Sequence, residues 1–71
     1  MKIIEIESKE QANFPILVQV RATENWSTVK AFPGDSRGEA EAWCRAEGLA
    51  FTYPSLPIRI VRCVGGPIVR K

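Results

Sequence analysis

Few side chains in this sequence are of types that do chemistry, and their spacing narrows the choice further. There are two cysteines, Cys44 and Cys63, and no histidine. Without an imidazole the commonest general base is missing, and with it the histidine-based triads and most zinc sites. Each cysteine stands alone, with no second one two residues away, so neither belongs to a paired-thiolate metal site. Cys44 falls on the expected apolar face of a helix, where a thiol behaves as a small inert hydrophobe. Reduced thiols in a cytoplasmic protein are the expectation, with a Cys44–Cys63 disulfide as the alternative. Glu5 and Glu7 could pair as carboxylates, but two neighbours on one face of a solvated strand read as surface. Neither a Walker loop nor a Gly-x-Gly-x-x-Gly run is present. No catalytic residue, metal or cofactor is expected, and the chain reads as a binding protein rather than an enzyme.

Binding chemistry has more to draw on. Gln19, Arg21, Thr23, Trp26, Thr28 and Lys30 alternate along a strand pair, with Phe32 at its end. That interleaves basic side chains with an aromatic ring, a pattern suited to phosphates and bases as well as to proteins. Trp26 is expected at an exposed hairpin tip, and tryptophan is enriched among residues that dominate interfaces. A second candidate is the basic end: Arg59, Arg62, Arg70 and Lys71 lie in a stretch without a single acid. The acidic set Glu39, Glu41 and Glu47 reads as the solvated side of a helix.

The elements that position these residues follow from periodicity and from turn chemistry. Residues 2–7 alternate as a first strand, with Ile4 and Ile6 on one face and Ile3, Glu5 and Glu7 on the other. Ser8 and Gln11 have the spacing of a helix start, but Pro15 arrives too soon for more than a turn. Residues 15–32 form a hairpin. With Glu24 and Asn25 as a two-residue turn, Val20 faces Val29 and Val18 faces Ala31 on an apolar side. Leu17 then faces Phe32 and Gln19 faces Lys30 on a polar side. A longer loop is the alternative, because Glu-Asn is not a preferred turn pair.

Ser36 and Glu39 then make a capping box, predicting a helix over residues 37–47 that Gly48 stops. Ala40, Trp43 and Cys44 are its expected core face, and Arg37, Glu41 and Arg45 its solvated ladder. Residues 49–57 read as a loop and residues 58–64 as a last strand. A bulge near Val61 is expected there, to keep Arg62 from following Ile58 and Ile60 inward. Residues 68–71 are either a tail or a short added strand.

Seventy-one residues carrying a net charge of +2 suit one domain, mildly basic and short of the charge expected of a dedicated DNA-binding protein. A chain this short buries about 60% of the surface it exposes when unfolded, so little is spare for a deep pocket. No secretory signal and no membrane-spanning run is expected. The fold class that follows is α+β: an antiparallel or mixed sheet of about four strands with one helix on one face.

Two resemblances bear on function. Lys30-Ala31-Phe32, Ser36 and the run Glu39-Ala40-Glu41-Ala42-Trp43 resemble the arm-type DNA-binding domains of tyrosine recombinases, which implies contact with DNA. The strongly basic strands of those domains have no counterpart here. The overall profile is similar to that of small stand-alone proteins of phages and mobile elements, anti-CRISPR inhibitors among them, which act by covering a surface of a larger protein. The reading is therefore a protein-binding module or inhibitor, monomeric or homodimeric. Its expected contacts are Gln19, Arg21, Trp26, Lys30, Arg59, Arg62 and Arg70, and a nucleic-acid-binding domain is the alternative.

Overall fold

β-Branched and aromatic side chains, isoleucine and valine foremost, build the strands. In the computed structural model, which describes residues 3–68, these are β1 (Ile3–Ser8), β2 (Ile16–Val20), β3 (Ser27–Phe32) and β4 (Ile58–Cys63). They form one sheet in the order β1-β4-β2-β3. β1 and β4 run parallel, while β2 is antiparallel to both β4 and β3. The fold is thus a small α+β domain with a mixed sheet, and the last strand occupies an interior position.

A single helix, α1 (Ser36–Thr52), packs against the sheet. It begins one residue earlier than the capping box predicts. Asp35 is the N-cap, its Oδ1 accepting from the Gly38 amide at 2.7 Å. A carboxylate in this position also complements the positive end of the helix dipole. The helix then runs through Gly48 for another turn. Gly48 does not take a left-handed conformation, and continuing buries Ala50 at 7% exposure with Leu49 packed on the core. That burial offsets the roughly 1 kcal/mol that a glycine costs in a helix interior. Pro54, which cannot donate a backbone hydrogen bond, follows the C-cap Tyr53.

The buried line of α1 is Gly38, Ala42, Ala46 and Ala50, not Ala40, Trp43 and Cys44. Residues four apart form a ridge on a helix surface, and a ridge of small residues lets the backbone approach the sheet. Gly38 is required for a different reason: a Cβ there would collide with the carbonyl of Pro33 in the segment leading into the helix. Ile16, Val18, Phe32, Ile58 and Ile60 complete the core. Trp43 lies at the border, and Cys44 is exposed.

The hairpin differs from its expected register by one residue. Ile16 pairs with Phe32, Leu17 with Ala31 and Val18 with Lys30, after which a bulge puts Gln19 opposite Thr28. The slip carries Phe32 into the core at 7% exposure. It moves Lys30 to the helix side of an edge strand, where its amine still reaches water. Residues 21–26 form the connecting loop instead of a two-residue turn. Arg62 does follow Ile58 and Ile60 to the helix side without a bulge in β4. It is tolerated because Glu5 of β1 accepts from its Nε at 2.6 Å and Glu39 of α1 accepts from its Nη2. One guanidinium so ties together two strands and the helix. Among the described residues no helix is long and apolar enough to cross a membrane.

These carboxylates raise the Arg62 pKa above its ordinary value, the hydrogen bond to Glu5 contributing most. A raised pKa leaves the arginine's contribution complete below the unfolded value, and it is lost as pH rises from there through the folded one. Both values lie above ordinary working pH, so Arg62 stays charged there, and salt weakens the network by screening it. Arg62→Gln is expected to lower stability by about 1 kcal/mol at low ionic strength and by less in high salt, read from urea midpoints. Ile60→Ala, at a fully buried position, is expected to cost about 2–4 kcal/mol. A core of this size supplies about 3–5 kcal/mol in all, so circular dichroism should find much of that variant unfolded.

Candidate functional site

Among the described residues no helix lies on the face of the sheet opposite α1, and β-strand alternation decides what it shows. The register aligns Ile6, Val61, Leu17 and Ala31 across all four strands. Beside this apolar row runs a second one, Ile4, Arg59, Gln19 and Thr28. Val61 is only 5% exposed despite facing away from the helix, since Ile6 and Leu17 flank it from both neighbouring strands. Ile4, at the edge, is 45% exposed.

The second row is organised by hydrogen bonds. Gln19 has both a donor and an acceptor at its tip and uses them in opposite directions. Its Nε2 donates to Thr28 Oγ1 at 3.0 Å, and its Oε1 accepts from Arg59 Nε at 2.7 Å. The bulge after Val18 makes the first bond possible, because it brings Thr28 opposite Gln19. The Arg59 guanidinium lies over the indole of Trp26, 4.3 Å from the ring centroid, within the range of a cation–π contact. Trp26 is consequently half-buried, not the freely exposed hairpin tip that its position suggests.

Gln19, Trp26 and Arg59 are therefore brought together, and the other expected contacts are dispersed. Arg21 stands at the start of the loop, where its Nε donates to the Thr23 carbonyl at 3.3 Å. Its amide donates to the Pro57 carbonyl. Lys30 and Arg62 belong to the opposite side of the sheet, and Phe32 is in the core. Arg70 and Lys71 lie outside the described residues. Sequence reasoning passed over Ile4, Ile6, Leu17 and Val61 as parts of a surface. A signal was present: Ile3, Ile4 and Ile6 put apolar side chains on both faces of one strand, and a single helix can cover only one of them.

On the helix side, an open groove between β3 and α1 is lined by Lys30, Phe32, Cys44, Leu49 and Tyr53. Its thiol was expected to be buried, but the rotation of α1 that buries Ala42 and Ala46 turns Cys44 outward. Cys63 is buried, and both thiols are free. Burial, and secondarily the charge of Glu10, push the Cys63 thiol up from its ordinary pKa. No family model matches the chain, and neither a curated protein nor a solved structure matches it.

Iodoacetamide should alkylate Cys44 in the native protein at least about tenfold faster than Cys63, because reactivity follows exposure and thiolate content. Mass spectrometry of the labelled peptides reads this directly, and the difference should vanish in denaturant. The sign of the Cys63 shift adds a pH dependence. Its contribution is intact below the unfolded thiol's pKa and declines as pH rises past it.

Proposed function

We propose that this chain is a non-catalytic protein-binding module that acts by covering a surface of a larger protein, as an inhibitor or adaptor does. The observation that carries this reading is the open sheet face: an apolar row beside a row in which Arg59 is held by Gln19 and Trp26. Interfaces take most of their energy from a few well-placed aromatic and arginine residues set among apolar contacts that exclude water. The uncovered face assembles those parts on rigid strands, which keeps the entropy lost on binding small.

The placement of charge weighs against the nucleic-acid alternative. A phosphate backbone is held by several cations along its path. Here Arg62 is neutralised by Glu5 and Glu39, Arg37 pairs with Glu41 at 3.3 Å, and Lys30 belongs to the other side of the sheet. Arg59 is the only charged residue that the four strands place on the open face.

The test is affinity capture from a nuclease-treated cell lysate at stepped salt, using the parent protein, Ile4→Lys and Arg45→Glu. Ile4 is exposed on the open face, and Arg45 is exposed on the helix side. Stoichiometric capture that survives salt and Arg45→Glu but is lost with Ile4→Lys is the expected result. Capture abolished by nuclease or by moderate salt would mean a nucleic-acid partner instead.

A further inference from the structure

Arginine occurs at two described positions of β4, and the two are used differently. Arg62 turns toward the helix and finds carboxylates of its own chain in Glu5 and Glu39. Arg59 turns to the open face, where among the described residues no carboxylate lies within ion-pairing distance. Its Nε is engaged by Gln19 and its plane rests on Trp26. Both terminal amino groups are left without an acceptor among the described residues. A guanidinium fixed through its Nε and one flat side keeps a fork of parallel N–H groups at the other end, and that fork matches the two oxygens of a carboxylate or of a phosphate.

The surroundings choose between these ligands. Ile4 precedes Arg59 along its row, and Ile6, Val61, Leu17 and Ala31 form the next row. A phosphodiester chain crossing this face would meet one cation and then hydrocarbon. A peptide whose Asp or Glu is flanked by apolar side chains would satisfy both rows, its carboxylate on Arg59 and its apolar groups on the adjacent row. Resting on the docking role proposed above for this face, we infer that Arg59 is its anchor and that the partner presents an acidic side chain flanked by apolar residues. Gln19 and Trp26 are positioning residues: they orient the fork and need not touch the partner.

The experiment is selection of a displayed library of random dodecapeptides on the immobilised protein at physiological salt, followed by titration calorimetry of the enriched peptides and of versions with each carboxylate changed to its amide. The enriched peptides are expected to carry Asp or Glu beside apolar residues. The acid-to-amide change, which leaves the protein untouched, is expected to weaken binding about tenfold or more. Arg59→Gln should weaken binding similarly, and the two changes together should cost little more than either alone. Arg59→Lys, which keeps the charge but loses the fork, should restore only part of the affinity. Each variant's amide NMR spectrum establishes that it is folded.

If Ile4→Lys abolishes peptide binding while the amide peptides and Arg59→Gln bind normally, the face docks partners but the carboxylate inference is overturned. If no peptide binds in a way that Ile4→Lys or Arg59→Gln alters, both the inference and the docking role fall. A single-stranded oligonucleotide that binds more tightly than the peptides, and is lost with Arg59→Gln, would assign the fork to phosphate and overturn the proposal.

Discussion

β4 is paired on both edges, parallel to β1 and antiparallel to β2, and it carries buried residues on both faces. Ile58 and Ile60 pack beneath α1, whereas Val61 and Cys63 are buried on the other side. An interior strand must satisfy two ladders of hydrogen bonds and two packing surfaces at once. The first three strands cannot make a continuous sheet without it, because β1 reaches β2 only through β4. The link between β3 and β4 is α1 itself, so seating the strand also seats the helix. The last regular element among the described residues therefore closes the fold, and pairing between distant segments of this kind delays folding relative to local contacts.

The same strand distributes the charge that gives each face its character. Alternation sends Arg62 toward α1, where two glutamates turn a costly inward charge into a tie between β1, β4 and the helix. A partly exposed network of this kind contributes modestly to stability and fixes where the helix end lies over the sheet. Alternation sends Arg59 the other way, where Trp26 and Gln19 constrain its direction without neutralising it. Three residues apart on one strand, one arginine serves the fold and the other is left with donors to spare. The contrast rests on geometry, since both side chains have identical intrinsic chemistry.

Small residues at the helix–sheet contact complete the arrangement. Ala42, Ala46 and Ala50 contribute little hydrophobic area themselves, but they let the larger Ile16, Val18, Ile58 and Ile60 meet the helix backbone closely. A core of this sort leaves no room for larger side chains on that ridge, since overpacking forces backbone shifts. It also explains why Cys44 and Tyr53 end beside a groove: once the alanine ridge faces the sheet, the bulkier residues of α1 must flank it or point outward.

Local chemistry in the sequence was enough to determine the types of element and nearly all of their positions. Alternating isoleucine and valine reads as strand, Pro15 and Pro33-Gly34 read as breaks, and Ser36 with Glu39 reads as a helix start, because each depends on neighbours within a few residues. A small α+β fold of about four strands with one helix on one face follows from those elements, whereas the parallel pairing of β1 with β4 that makes the sheet mixed does not. The register of the hairpin did not, since two alternatives one residue apart both bury apolar side chains locally, and only the need of α1 for Phe32 separates them. Nor did the end of α1, where Gly48 is a stop signal by itself but is overridden by the burial of Ala50. The insertion of β4 between β1 and β2, and with it the union of Arg59, Gln19 and Trp26 on one face, was decided by tertiary structure alone, because those contacts join residues far apart in the chain and no local preference can encode them.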